Sequence, residues 1–187
     1  MRVISGKYKH RHFDVPRSFK ARPTTDFAKE NLFNILQNVY VDFGDQPTVL
    51  DLFAGTGSMS LEFLSRGCAK VVSVEKDRRH YQFISRVAQE IGDKAWTVAM
   101  ADVFKYLQHC HDRFDIIFAD PPYALPTIAE LPPIVLQSGL LADAGLFILE
   151  HGKTNNFANF PHLIDHREYG SVNFSFFQLQ NEENNGK

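Results

Sequence analysis

A glycine-containing turn between an apolar strand and a helix constrains the fold of this chain more than any other feature. Residues 48–53 are rich in strand-forming residues, residues 54–58 form the turn, and a helical pattern follows with Met59, Leu61, Phe63 and Leu64. Glycines let the backbone approach a ligand closely, and the start of a helix has N–H groups without intrahelical partners. Strand, glycine turn and helix in this order are typical of a nucleotide-binding βαβ unit.

Strands and helices alternate along the rest of the chain. Apolar runs rich in strand formers end at Glu75, Met100, Ala119 and Glu150, with helical patterns between them. Two further strands flank Gly170-Ser171 and predict a hairpin. We therefore expect a three-layer, Rossmann-like α/β fold whose sheet is mostly parallel and ends in an antiparallel hairpin.

The chain is expected to form one unit with a small N-terminal addition. Residues 1–40 form a basic arm or hairpin and a helix with Thr25 or Asp26 as its N-cap, and residues 41–180 form the core. Residues 181–187 are polar and predicted to be disordered.

The residues around the glycine turn leave two kinds of cofactor open. A dinucleotide-binding turn has a third Gly or Ala where this chain has Ser60. Asp51, just before the turn, would repel a pyrophosphate but suits a cationic ligand with an amino group. S-adenosylmethionine is such a ligand, since it combines a sulfonium, an amino acid, a ribose and an adenine.

On this interpretation each part of S-adenosylmethionine has a partner. Asp51 lies near the methionyl end, and the backbone of residues 55–57 meets the amino-acid part. Glu75 lies 20 residues after Gly55, the separation along the sequence at which nucleotide-binding βαβ units have a carboxylate that binds the ribose hydroxyls. Asp102 accepts from the adenine amine or, alternatively, only caps the helix that begins at Val103.

The fourth strand ends in Asp120-Pro121-Pro122-Tyr123. Two consecutive prolines stop both helix and strand pairing and leave a stiff loop without N–H donors. A carboxylate, a proline carbonyl and an aromatic ring at a strand's carboxyl end suit a planar group with N–H donors, such as a nucleobase with an exocyclic amine. The alternative is a structural stop with a capping Asp and a partly buried Tyr.

Positive charge is concentrated at the N-terminus. Residues 1–30 contain eight Lys and Arg residues against three Asp and Glu residues, a charge of +5, whereas the whole chain carries −2. This asymmetry favours contact of one surface with a polyanion, although a merely solvated basic segment would look the same.

Two distant cysteines predict no disulfide framework, and the adjacent His109-Cys110-His111 lack the spacing of a metal site, so no metal is expected.

Taken together, the motifs resemble the RsmD family of class I S-adenosylmethionine-dependent methyltransferases. The resemblance runs nearly end to end, through residues 2–6, 22–26, 32–34, 51–57, 120–123 and 169–170. It implies methylation of the N2 amine of a guanine in bacterial small-subunit (16S) ribosomal RNA, with the base flipped into the site formed by Asp120, Pro121, Pro122 and Tyr123. The implied cofactor-binding residues are Asp51, Phe53, Ala54, Gly55, Thr56, Gly57, Glu75, Lys76, Asp102, Val103 and Asp120.

The resemblance also implies partners. The expected RNA-binding residues are Arg2, Lys7, Lys9, Arg11, Arg22, Thr24, Thr25 and Lys29, although family members often have an arginine where this chain has Phe27. The RNA is expected within a small-subunit assembly particle and the protein as a monomer. A cytoplasmic location is expected because no apolar stretch approaches the ~20 residues of a membrane span. Two other classes remain open: a DNA adenine or cytosine amino-methyltransferase, and an NAD-dependent oxidoreductase or nucleotide-binding module.

Overall fold

The computed structural model describes residues 1–19 and 25–179. Within them the chain alternates between strands and helices as the sequence predicts. The helices are α1 (Asp26–Ile35), α2 (Ser58–Ser65), α3 (Arg78–Ile91), α4 (Val103–His109) and α5 (Leu131–Gln137). The strands are β1 (Thr48–Leu52), β2 (Lys70–Glu75), β3 (Trp96–Met100), β4 (Phe114–Ala119), β5 (Leu141–His151), β6 (Leu163–Tyr169) and β7 (Val172–Phe177).

These strands form one sheet in the order β3-β2-β1-β4-β5-β7-β6. Neighbouring strands from β3 to β5 pair in parallel, whereas β7 is antiparallel to both β5 and β6. The predicted mostly parallel sheet with a C-terminal hairpin is therefore confirmed. The chain goes from β1 to β2 on one side and later returns to β4 on the other, so the switch point of the sheet lies between β1 and β4.

Two apolar clusters cover the faces of the sheet, as expected for strands buried on both sides. Buried side chains of α1, α2 and α3 pack on one face, together with Val3 and Phe13 of the N-terminal segment. Helices α4 and α5 pack on the other face. Successive residues of β1 alternate between them, with Val49 in the first cluster and Leu50 in the second.

The N-terminal segment folds back on the core. An isolated antiparallel bridge joins Arg2 to His12, and Glu62 of α2 accepts hydrogen bonds from the N–H groups of Ile4 (2.8 Å) and Ser5 (3.1 Å). Gly6 lies so close to α2 that a Cβ there would meet the Ser65 carbonyl oxygen at 1.9 Å. Only glycine fits at this contact, which explains Gly6 in the motif at residues 2–6.

Lys29 corrects one prediction. It was expected to bind RNA, but it is 1% exposed, and its Nζ donates to the Arg2 carbonyl (2.6 Å) and to Ser58 Oγ (3.1 Å). Burial lowers the pKa of its ammonium. A side chain enclosed in this way cannot contact a phosphate from solvent, so Lys29 attaches the N-terminal segment to the core.

Two segments differ in extent from the sequence pattern. Strand β5 begins at Leu141, earlier than the apolar run that predicts it, and a register irregularity lies in its pairing with β4 between Phe114 and Ile116. Helix α1 is followed by a π-helical turn, Leu36–Tyr40, within the region predicted as one helix. No helix among the described residues has both the length and the apolarity to span a membrane.

Candidate functional site

Four strand ends form one row at the carboxyl edge of the sheet. Val74 of β2 pairs with Leu52 of β1, Leu52 with Ala119 of β4, and Ala119 with Leu149 of β5. The residues that follow these positions are Glu75, Phe53, Asp120 and Glu150. Three carboxylates therefore stand along the edge at which open α/β sheets bind ligands.

A cleft of about 710 Å³ opens over this row. Its wall includes all four residues of the row and the Asp120–Tyr123 loop, together with the start of α1 and the turn between β6 and β7. The predicted site residues that line it are Thr25, Phe53, Gly55, Glu75, Lys76, Val103, Asp120, Pro121, Pro122 and Tyr123. Residues more than 100 positions apart in sequence thus share one cavity.

The glycine turn presents its backbone to the cleft. Phe53 (φ +62°) and Gly55 (φ +56°) both adopt left-handed conformations, and Gly55 donates its N–H to Glu75 Oε2 at 2.8 Å. The other oxygen of Glu75 accepts from Asp77 N–H at 2.7 Å. Glu75 therefore both fixes the turn and lines the cleft. Among residues 1–19 and 25–179, a Cβ at Gly55 would meet only the Phe53 carbonyl oxygen within 4 Å, at 3.8 Å, so these residues leave this side of the turn open.

Gly57 has a different reason to be glycine. With φ +74°, it precedes α2, and a Cβ there would lie 3.1 Å from Ile84 Cγ2 and 3.3 Å from Trp96 Cζ2. It does not line the cleft, and neither do Ala54 and Thr56. The structure thus brings Gly55 to the cavity, while Gly57 allows α2 to pack close to α3 and β3.

Asp51 is buried beneath the turn, away from the predicted ligand contact. It is 1% exposed, and its Oδ2 accepts from Ser60 N–H (3.0 Å) and from the Ser60 hydroxyl. The network continues from Ser60 Oγ to Ser73 Oγ (2.5 Å), which in turn accepts from Trp96 Nε1–H (2.8 Å). Burial, with a smaller contribution from Glu75, raises the pKa of Asp51 to about 7. Asp51 therefore supports the first turn of α2, which corrects its predicted contact with the ligand.

Asp102 caps α4. Its Oδ1 accepts from the N–H groups of Phe104 (3.1 Å) and Lys105 (3.4 Å). This is the alternative role that the sequence left open, and the cleft is lined by the next residue, Val103.

The Asp120–Tyr123 loop is held from both sides. Asp120 N–H continues the sheet pairing to the Leu52 carbonyl (3.3 Å), and Pro121 is buried. The Pro122 carbonyl accepts from Leu125 N–H at 2.7 Å, so this turn already uses it. Pro121 is therefore the proline whose carbonyl is the candidate acceptor for a ligand.

Tyr123 is fixed although it is 40% exposed. Its hydroxyl donates to Glu150 Oε1 at 3.1 Å. Its ring lies against Gly152, where an added Cβ would be 3.1 Å from Tyr123 Cδ2. The ring is thus held at the carboxyl end of β5, at the side of the cleft.

The predicted RNA-binding residues are spread over a wider surface. Arg2 pairs with Asp26 (3.1 Å), Lys7 with Asp93 (2.7 Å) and Arg11 with Glu90 (3.0 Å), and all three basic side chains remain about half exposed. Lys9 is exposed, and Thr25 caps α1 by accepting from Ala28 N–H at 3.2 Å. Arg22 and Thr24 lie outside the described residues.

Several cleft residues were not predicted as site residues. Phe27, at 66% exposed, makes an edge contact with Tyr169 (ring centroids 6.3 Å apart) at the rim, and His80 of α3 lies in the wall. Glu150 could have been predicted from the sequence, because it follows an apolar run in the same way as Glu75 and so is expected at the same edge of the sheet. Phe27 could not be predicted in this way, because an aromatic residue in a sequence more often belongs to the hydrophobic core than to the rim of a cleft.

Comparison with known proteins gives one family and several relatives. The family model described as Conserved hypothetical protein 95 matches residues 1–178. Ribosomal RNA small subunit methyltransferase D of Escherichia coli (strain K12) is 34% identical over 184 residues, which cover 96% of this chain and 90% of the relative.

Solved structures resemble the fold over most of the chain. A hypothetical protein from Thermus thermophilus has a TM-score of 0.82 at 30% identity, covering 96% of this chain and 99% of that protein. The T. thermophilus 16S rRNA N2 G1207 methyltransferase (RsmC), in complex with AdoMet and guanosine, has a TM-score of 0.67 at 22% identity. That match covers 87% of this chain and 45% of the other, and at this identity it shows a shared fold.

Proposed function

The chain belongs to the RsmD family, and from this premise we propose that it methylates the N2 amine of a guanine in bacterial 16S ribosomal RNA, with S-adenosylmethionine as methyl donor. The observation that carries the proposal is the row of Glu75, Phe53, Asp120 and Glu150 along one cleft. It sets a glycine turn suited to a nucleotide-like cofactor beside a loop suited to an amine. We further propose that the protein acts as a cytoplasmic monomer on a small-subunit assembly particle.

The residues around β1 and β2 fit S-adenosylmethionine, which supplies a methyl group on a positively charged sulfur. The backbone of Gly55 lines the cleft, and the buried carboxylate of Glu75 stands where a ribose hydroxyl would find an acceptor. Val103 adds an apolar surface for a planar adenine. These residues, with Phe53 and Lys76, would hold the cofactor on the β2 side of the cleft.

The Asp120–Tyr123 loop would hold the guanine amine. The N2 lone pair of guanine is delocalised into the ring and is a poor nucleophile. When Asp120 and the Pro121 carbonyl accept the two amine hydrogens, the nitrogen is drawn toward tetrahedral geometry and its developing positive charge is stabilised. Tyr123, held by Glu150 and Gly152, would stack on the base after it is flipped out of the RNA.

The site needs no strong base. A methylated ammonium on guanine is acidic enough to lose its proton to the Asp120 carboxylate or to water once it has formed. Most of the acceleration would come from positioning, for which effective molarities correspond to roughly 7–11 kcal/mol. This accounts for a site built from hydrogen-bond acceptors and an aromatic ring on rigid strand ends.

The N-terminal segment would bind the RNA backbone. Arg2, Lys7, Lys9 and Arg11 are exposed on a segment that buried contacts attach to α2. Cations on a fixed surface can bind phosphates with less loss of conformational entropy than cations on a mobile arm. Thr25 and Phe27 at the start of α1 connect this surface to the cleft.

The test is methyl transfer from labelled S-adenosylmethionine to three substrates: small-subunit particles lacking the modification, naked 16S RNA and duplex DNA. The product nucleoside is identified by mass spectrometry after digestion. We expect N2-methylguanosine from the particle, in higher yield than from naked RNA. N6-methyladenine or N4-methylcytosine from DNA would instead support an amino-methyltransferase of DNA. A thermal shift with NAD and none with S-adenosylmethionine would contradict both.

A further inference from the structure

Glu150 is a buried carboxylate in the cleft for which the mechanism above gives no contact with the substrate. It is 3% exposed and belongs to the wall of the cavity. It lies on β5, next to Asp120, which directly follows β4, and on the side away from Glu75. If the cofactor occupies the β1–β2 side, Glu150 faces the part of the cleft left for the base.

Strand register places Glu150 beside Asp120. Ala119 pairs with Leu149 in parallel, and both belong to the apolar cluster under α4 and α5. Because side chains alternate along a strand, Asp120 and Glu150 both turn to the opposite face. Neighbouring strands are about 4.8 Å apart, so the two carboxylates can contact adjacent groups on one small planar molecule.

The hydrogen bond with Tyr123 fixes Glu150 relative to the stacking ring. Tyr123 Oη lies 3.1 Å from Glu150 Oε1, and Gly152 supports the same ring. The Glu150 carboxylate lies at the perimeter of the Tyr123 ring. It would therefore lie near the perimeter of a base stacked on that ring, where the hydrogen-bonding groups of the base are. Glu150 can therefore read hydrogen-bonding groups of the base.

We propose that Glu150 recognises guanine by accepting a hydrogen bond from its N1–H, beside the N2 amine bound by Asp120; this inference rests on the proposed function. Guanine presents N1–H and N2–H₂ as neighbouring donors. Adenine and 2-aminopurine instead have a lone pair at N1, which a carboxylate repels. Two adjacent carboxylates therefore suit guanine, whereas Asp120 alone would accept any exocyclic amine.

The experiment compares RNAs whose target nucleotide is guanine or 2-aminopurine, which keeps the 2-amino group but lacks N1–H. Single-turnover methyl transfer is measured for the wild type, E150Q and Y123F. E150Q keeps an oxygen that can accept the Tyr123 hydroxyl but loses the negative charge. Y123F removes the hydroxyl that donates to Glu150 but keeps both the carboxylate and the aromatic ring, so it is the matched control for loss of this contact without loss of the charge.

We expect the wild type to prefer guanine over 2-aminopurine by about tenfold or more, as for a well-placed base contact. E150Q should lower this ratio to within about threefold, because an amide can also donate to the N1 lone pair. Y123F should slow both reactions and keep a preference for guanine larger than that of E150Q, because the negative carboxylate still repels the N1 lone pair of 2-aminopurine.

Two results would overturn the inference. One is a wild type that uses both bases equally, which needs no variant and so does not depend on whether E150Q folds. The other is an E150Q ratio equal to that of the wild type, which would leave Glu150 only as support for Tyr123. Failure of the proposed function differs from both, since no N2-methylguanosine would then form with any of the three proteins.

Discussion

The Lys29 ammonium lies 3.8 Å from the Glu62 carboxylate, and both side chains are almost completely excluded from solvent. Glu62 also accepts from Arg66 Nε at 3.0 Å and from the N–H groups of Ile4 and Ser5. One buried acid thus joins the N-terminal segment, α1 and α2. The surface proposed to bind RNA is therefore attached by buried contacts to the helices that pack on the sheet.

Removing the buried ammonium should destabilise the protein. We expect Lys29→Met to lower the free energy of unfolding by about 3 kcal/mol, because the buried Glu62 then keeps only Arg66 as a cation, and the Arg2 carbonyl and Ser58 hydroxyl lose their donor. Chemical denaturation measures this change, with Lys9→Ala as an exposed control that shifts it by less than about 0.5 kcal/mol. A folded Lys29→Met protein of normal stability that has lost RNA affinity would return Lys29 to the RNA-binding surface.

The exposed cations of the N-terminal segment should act through phosphates. Lys9→Ala and Arg11→Ala should each weaken binding to the RNA substrate and reduce the slope of log K against log salt concentration by about one. The matched control is Lys70→Ala, since Lys70 is also exposed but starts β2 at the edge opposite the cleft. Equal effects of all three changes would show that the surface proposed here is not the RNA contact.

Adding one methyl group under Tyr123 should impair catalysis more than stability. In Gly152→Ala the new Cβ would lie 3.1 Å from Tyr123 Cδ2, so the ring must move. We expect methyl transfer to fall by about tenfold or more, with a loss of unfolding free energy of about 1 kcal/mol. The double variant with Tyr123→Ala should be no slower than Tyr123→Ala alone, and additive losses would mean that Gly152 acts elsewhere.

Asp51 should make stability depend on pH. Its pKa in the folded protein is raised from 3.8 to about 7, so the folded state binds the proton more tightly than the unfolded state. Protonation of Asp51 contributes on the order of 4 kcal/mol to the free energy of unfolding. This contribution is fully present below pH ~4 and is lost as the pH rises toward ~7. In Asp51→Asn, whose side chain stays neutral, the free energy of unfolding should lose this pH-dependent contribution and so change less between pH 4 and 8. Parallel profiles of the two proteins between pH 4 and 8 would contradict this role.

Much of the fold follows from local sequence patterns. Alternating strands and helices predict the parallel sheet, and the turn at Gly55 predicts the edge of the sheet at which a ligand would bind. Glu75 and Asp120 could be found because each follows an apolar run, and parallel strands bring their carboxyl ends to one edge. Glu150 has the same signal and could have been predicted with them.

Burial of polar residues could not be predicted in this way. Lys29 lies in an amphipathic helix among charged residues, and nothing local shows that Glu62 of another helix encloses it. Asp51 precedes a glycine turn as a ligand contact would, but the packing of α2 brings Ser60 N–H to it first. Such outcomes depend on how helices pack on the sheet, which residue spacing does not specify.

In the proposed mechanism, the Asp120 carboxylate holds the guanine amine during methyl transfer. The most direct measurement is the single-turnover rate of N2-methylguanosine formation by Asp120→Ala at saturating S-adenosylmethionine and RNA. We predict a fall of about 100-fold or more, as for loss of one group that stabilises charge in the transition state. A rate close to that of the wild type would contradict the assignment of Asp120 and with it the proposed site.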